Sequence, residues 1–208
     1  TGRDFFAFAD VEQNQHDSPY RDWYIVNQWD DPATAEDEFD YEGWWGVESL
    51  PAFTKTEDDL HPGPKQYVFD ATARWMDPNG DGDPSDGLDG WCLDVAEMVD
   101  LAFWRDFRDT VRAINPDAYL AGEVWWEDWP NNKMFDARRW LGGDAFDAVM
   151  NYRWAVATRR LFLGSDLEAG QPYGPTAFFA ELADLRDDYP PEVNYVLMNT
   201  IGTHDTDR

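Results

Sequence analysis

Three carboxylates stand beyond short apolar runs: Asp94 after Trp91-Cys-Leu, Glu123 after the run starting at Ala118, and Asp205, beside His204, downstream of Val193–Met198. Two carboxylates flanking a glycosidic bond are the minimum for its hydrolysis: one attacks or orients water, the other protonates the leaving oxygen. Val124, Trp125 and Trp126 follow Glu123, and an apolar wall raises a carboxyl pKa and keeps it protonated, as an acid needs. Asp94 must instead stay ionised to attack. Taken singly, each acid could be a helix cap or a surface charge. Their joint placement at strand ends favours chemistry, because carboxyl ends of parallel barrel strands converge on one mouth.

The elements that would position them read in order. Trp91–Asp94 is a short strand, and side-chain alternation puts Cys92 and Asp94 on one face, Trp91 and Leu93 on the other. Asp100 then caps a helix with Phe103, Phe107, Val111 and Ile114 as its apolar face, and Asn115-Pro116 stops it. Ala118–Val124 is a second strand, so strand, helix and strand fit a parallel crossover. Phe146–Met150 is expected as a third strand, Arg153–Leu163 as a helix and 164–175 as a loop. Thr176 is expected to cap a helix with Phe178, Phe179, Leu182 and Leu185 inward, and Val193–Met198 to form a fourth strand. Strands alternating with helices argue an α/β protein with a parallel sheet. Upstream, residues 1–70 carry many aromatics among acidic and Pro-containing turns, which reads as irregular structure held by aromatic packing. Gln66–Met76 has helical spacing at Tyr67, Ala71 and Trp75.

Charge excludes several functions. The net charge is −27, with 43 acids against 16 Lys and Arg, a field that repels nucleic acid and anionic membranes. Hydrophobic residues make up 43%, enough for a packed core, but no apolar run approaches the ~20 residues of a membrane span. The lone Cys92 excludes an internal disulfide and a zinc ribbon. No dinucleotide, phosphate-loop or serine-hydrolase motif occurs. Asp77, Asn79, Asp81 and Asp83 alternate before and after glycines like the first half of a calcium loop, but Leu88 stands where the bidentate Glu belongs. A Ca2+ site and an acidic turn that binds nothing both stay open; no other cofactor is required.

Gly-Trp-Cys-Leu-Asp94-Val-Ala, Ala-Gly-Glu123-Val-Trp and Thr-His204-Asp205-Thr-Asp-Arg, in that order and spacing, resemble conserved regions II, III and IV of the α-amylase superfamily of glycoside hydrolases. Ser49-Leu-Pro-Ala-Phe53 resembles its fifth region. Phe146-Asp-Ala-Val-Met-Asn-Tyr152 is most similar to the cyclomaltodextrinase, neopullulanase and maltogenic amylase branch. The resemblance implies a partial TIM (β/α)8 barrel, about strands four to seven, over 71–208, preceded by an inserted irregular subdomain over 1–70. The remaining barrel strands would lie outside this chain, as its partner in folding. It further implies Asp94 as nucleophile, Glu123 as acid/base, Asp205 as transition-state stabiliser and His204 as a sugar hydrogen-bond donor, with Trp125 and Trp126 beside the substrate. The implied substrate is an α-1,4-glucan or a cyclodextrin.

The chain departs from the pattern two residues before the nucleophile, where the family has Arg and this chain has Cys92. A thiol cannot replace the guanidinium fork that would orient Asp94 and lower its pKa. Sharply reduced activity is expected, and with it an alternative: a catalytically inactive α-glucan-binding relative. Val-Ala-Glu97-Met98 also replaces the branch's usual Val-Ala-Asn-Glu.

Overall fold

Phe8, on helix α1 (Phe6–Asn14), is fully buried, and around it the aromatic side chains of the first seventy residues gather. Its ring meets Tyr41 at 4.6 Å and Tyr24 at 5.0 Å between centroids, both edge-on, a geometry that aromatic quadrupoles favour. Phe5, Tyr20, Trp23, Trp29, Phe39 and Phe53 pack on the same cluster. The computed structural model describes residues 1–131, 133–164 and 171–206, in two units, Thr1–Thr72 and Ala73–Arg208.

Regular structure in the first unit is short. Strand β1 (Val26–Gln28) pairs antiparallel with β2 (Asp40–Tyr41), and β3 (Gly43–Trp44) with β4 (Val47–Pro51). Trp45 and Gly46 join β3 to β4, both with positive φ (53° and 74°). Two successive positive-φ residues give the strand twist of a tight hairpin, a conformation Gly adopts freely and Trp only at a cost. Helix α2 (Pro62–Met76) begins four residues earlier than its periodicity suggests, because proline is tolerated in a helix's first turn, where amides lack intrahelical partners anyway.

In the second unit, β5 (Gly90–Leu93) leads through α3 (Leu101–Ile114) to β6 (Tyr119–Gly122). The two strands are parallel, in register from Gly90 opposite Tyr119 to Leu93 opposite Gly122. β7 (Trp126–Asp128) and β8 (Lys133–Met134) form a small antiparallel pair, and β9 (Ala148–Val149) adds a third parallel strand beside β6. The sheet order is β5-β6-β9. Helix α3 buries Phe103, Trp104, Phe107 and Val111; Trp104 was not expected in that face, yet it packs on Phe146 at 5.3 Å and donates its indole N–H to the Ala96 carbonyl at 2.8 Å. Gly122 is required by close approach, since a Cβ there would sit 2.4 Å from the Phe146 ring.

Helices α4 (Tyr152–Leu163), α5 (Pro175–Asp188) and α6 (Pro191–Asn194) complete the unit. Three expectations need correction here. Val193–Met198 is not a strand: its start lies in α6, and only Met198 makes a parallel bridge, to Met150. Pro190 and Pro191 fix φ near helical values and start a turn instead, and Tyr195 is left 90% exposed. Gly174, not Thr176, is the N-cap of α5, with Pro175 in its first turn. Phe179 is 63% exposed rather than inward, while Leu185 is buried. The loop expected over 164–175 lies partly outside the described residues.

Candidate active site

The ends of β5 and β6 are laced together by main-chain bonds. Glu123 N–H donates to the Leu93 carbonyl at 2.8 Å, and Ala96 N–H donates to the Glu123 carbonyl at 2.9 Å. Asp94 and Glu123, each one residue beyond its strand, are thereby held side by side. Asp94 is exposed and Glu123 is buried, with 9% of its surface accessible.

Between the two acids the backbone turns sharply. Val95 adopts φ 46°, ψ 41°, a left-handed conformation that is an outlier for a β-branched side chain. This turn aims the Val95 N–H at Glu123 Oε2, 2.8 Å away. The other carboxylate oxygen, Oε1, accepts from the Tyr152 hydroxyl at 3.1 Å. Burial drives the Glu123 pKa above its ordinary value. The Val95 and Tyr152 bonds oppose that shift, and the charge and side-chain hydrogen bond of Asp94 reinforce it. A buried carboxyl with a raised pKa beside one that faces solvent is the division of labour that acid-assisted displacement needs.

Cys92 shares the face of Asp94, as strand alternation requires: Cys92 and Asp94 are exposed, whereas Leu93 is buried and Trp91 packs on Phe107. Its thiol lies 3.9 Å from the Met150 sulfur. Desolvation first, then the charges of Glu123 and Asp94, push the thiol pKa up, and a thiol, neutral or ionised, carries no positive charge to offer the two acids.

Trp125 stacks on Tyr152 with centroids 4.0 Å apart and planes 4° from parallel, and Trp126 stacks on Trp125 at 5.5 Å. The loop carrying His204 and Asp205 also reaches this neighbourhood. His204 Nε2 is 3.2 Å from Asp205 Oδ1, with the imidazole 88% exposed, and Thr203 and Asp205 both act on Tyr152. Asp94, Glu123, Cys92 and, through Tyr152, Trp125 therefore fall around one centre, and Asp205 bears on it through Tyr152.

Asp77, Asn79, Asp81 and Asp83 form a turn closed by its own amides. Asp77 accepts from Gly80 and Gly82, Asn79 from Asp81, and Asp81 from Asp83, all at 2.8–2.9 Å. Among the described residues, no three His, Cys, Asp or Glu side chains come together in a way that would hold a metal ion.

Tyr152, Glu97 and the Val95 amide belong to the centre but were not singled out for chemistry in the sequence. Tyr152 ends the Phe146–Tyr152 stretch, so its position at a strand end was the available signal. Glu97 is half-buried, and its Oε2 has no partner among the described residues; burial raises its pKa most, and Glu123 and Asp94 add to the shift. The Val95 amide carries no signal, since nothing in a valine announces a left-handed turn.

The alpha-amylase catalytic-domain family model matches residues 1–208. Neopullulanase 2 of Thermoactinomyces vulgaris is 38% identical over 207 residues, covering all of this chain and 31% of the relative. A cyclomaltodextrinase of Geobacillus thermopakistaniensis is 35% identical over 207 residues, covering all of this chain and 30% of the relative. The chain thus spans about a third of the length of these curated relatives. The structure of a cyclic α-maltosyl-(1→6)-maltose hydrolase from Arthrobacter globiformis, in complex with cyclic α-maltosyl-(1→6)-maltose, superposes with a TM-score of 0.76 at 28% identity, covering all of this chain and 40% of that one.

Proposed function

Because the chain belongs to the alpha-amylase catalytic-domain family, we propose that it is the central part of a retaining glycoside hydrolase that cleaves α-1,4-glucosidic bonds of α-glucans or cyclodextrins. The observation that carries the reading is the side-by-side placement of a buried Glu123 and an exposed Asp94 at adjacent parallel strand ends. The Asp94 carboxylate attacks the anomeric carbon while Glu123 gives its proton to the glycosidic oxygen, and the leaving sugar departs. Glu123, now ionised, takes a proton from water. That water attacks the anomeric carbon and releases Asp94. Asp205 stabilises the positive charge of the sugar ring in the transition state, His204 donates to its hydroxyls, and Trp125 and Trp126 offer flat apolar faces to it. The names of the relatives, a neopullulanase and a cyclomaltodextrinase, support the substrate class.

The architecture we attach to this function is a partial (β/α)8 barrel, about strands four to seven, over 71–208, with an inserted subdomain over 1–70. The remainder of the barrel would come from chain outside this segment. Three parallel strands and the Met150–Met198 bridge support it, as do Asp94 and Glu123 directly beyond the carboxyl ends of β5 and β6. Calcium binding at Asp77, Asn79, Asp81 and Asp83 is a weaker reading, because those side chains already accept amides of their own turn and, for Asp83, of Ser85; calorimetric titration with calcium decides it.

Cys92 favours a second reading, a relative that binds α-glucan without turnover. Hydrolysis of a chromogenic α-maltooligoside by the full-length protein, as it stands and as Cys92→Arg, separates the two. Turnover in either form supports the hydrolase. Binding without turnover in both supports the binding protein.

A further inference from the structure

We propose that Tyr152 is a positioning residue for the acid/base, holding the Glu123 carboxyl through its hydroxyl while its ring seats Trp125. The inference rests on the hydrolase reading above. Tyr152 is 3% exposed and begins α4, so its backbone is set by the helix start. The N-cap Asn151 accepts from Trp154 N–H at 3.2 Å and donates its side-chain amide to Asn199 Oδ1 at 2.8 Å. From this fixed point one side chain makes two contacts of different chemistry. The hydroxyl donates to Glu123 Oε1 at 3.1 Å, and the ring lies flat on Trp125 at 4.0 Å. Glu123 and Trp125 are two residues apart on the same chain, so Tyr152 clamps both ends of a short segment against α4.

The second carboxylate oxygen is held independently by the Val95 amide. The carboxyl plane is therefore defined by two neutral donors from two different elements, which leaves it little freedom to rotate away from a glycosidic oxygen. The groups that bear on its titration are Asp94, Glu97 and Cys92 from the β5 side and Tyr152 from α4; Asp205 acts on Tyr152 in turn. Burial holds the Tyr152 pKa above its ordinary value, so the phenol stays a donor throughout the range in which Glu123 titrates.

The test uses the full-length protein with selectively 13C-labelled glutamate carboxyls, Glu123 being assigned with Glu123→Gln. In Tyr152→Phe the ring and its stack remain and only the donor is lost. The Glu123 carboxyl is then expected to titrate about one pH unit higher, and the high-pH limb of kcat/KM to move up with it while KM stays within about twofold. In Tyr152→Leu the stack is lost as well, and KM for a maltooligoside is expected to rise up to about tenfold. An unchanged Glu123 titration in a folded Tyr152→Phe protein would overturn the proposal. Absence of turnover in the parent and in Cys92→Arg would instead sink the hydrolase reading, and the carboxyl titration would still decide whether Tyr152 holds Glu123.

Discussion

The amide of Val95 points at the carboxylate of Glu123: N–H to Oε2 is 2.8 Å across 28 residues of sequence. The residue after the candidate nucleophile thus holds the candidate acid, and it does so from a left-handed backbone conformation at φ 46°. Such conformations cost on the order of 1–3 kcal/mol in a non-glycine residue and persist where surrounding structure enforces them.

Replacing Val95 separates the amide from the side chain. Val95→Gly keeps the N–H and accepts the positive φ, so relief of strain and added chain entropy oppose each other and stability stays within about 1 kcal/mol of the parent. Val95→Pro removes the donor and demands φ near −65°, so it destabilises by about 3 kcal/mol or more. Urea unfolding of the two variants measures the difference.

Cys92→Arg should place a cation on the face that carries Asp94. A guanidinium near both acids favours their ionised forms, so both limbs of the pH profile of kcat/KM move to lower pH. Turnover is expected to rise on the order of 100-fold, the scale of one well-placed electrostatic partner. Cys92→Ser, similar in size and neutral, should leave the profile where it is.

Glu123 links stability to pH with a definite sign. Its folded pKa lies above the ordinary 4.5, so the folded chain holds this proton more tightly than the unfolded chain. The resulting stability is fully present below the unfolded pKa and is lost as pH rises through the folded one. Glu123→Gln removes this dependence. The melting temperature of Glu123→Gln relative to the parent should therefore increase from pH 4 toward neutral pH. Glu97, also raised, contributes in the same direction, and Glu97→Gln should show the same trend.

Asp147 makes a prediction away from the chemistry. One carboxylate oxygen meets Arg108 at 2.9 Å and Arg112 at 2.8 Å, and the other accepts the Leu120 N–H at 2.9 Å, fixing β6 to α3. With the Asp147 side chain only 20% exposed, Asp147→Ala leaves the Leu120 amide without its acceptor and two guanidiniums with only the Ala145 and Pro116 carbonyls, and should cost about 2–3 kcal/mol. Asp147→Asn, which can still accept from Leu120, should cost less. Chemical denaturation reads both.

How far the sequence carried can be judged at particular residues. The apolar run before Asp94 and the alternation of Cys92 and Asp94 follow from period-two geometry, and the structure has them. The helix over Leu101–Ile114 was legible because its apolar face repeats at 3.6 residues and Asn115-Pro116 ends it. Val193–Met198 misled because a run of apolar residues is a strand signal only when something lies beside it to pair with; two prolines set a helical turn first. Tyr152 was placed at a strand end but its two contacts were not foreseeable, since they depend on α4 beginning at that residue. The carboxylate pair was visible in the sequence. The donors that hold it came from a backbone strain and a helix start that no residue type encodes.

The most direct test of the central claim is to trap the covalent intermediate. The full-length protein, as the Cys92→Arg variant, is incubated with a 5-fluoro-α-glucosyl fluoride, whose leaving group needs no acid, then digested and analysed by mass spectrometry. The account predicts a fluoroglucosyl ester on Asp94, in the peptide carrying Cys92→Arg, and its loss in Asp94→Asn. A label on any other residue, or none despite hydrolysis of a maltooligoside by the same preparation, would contradict Asp94 as nucleophile.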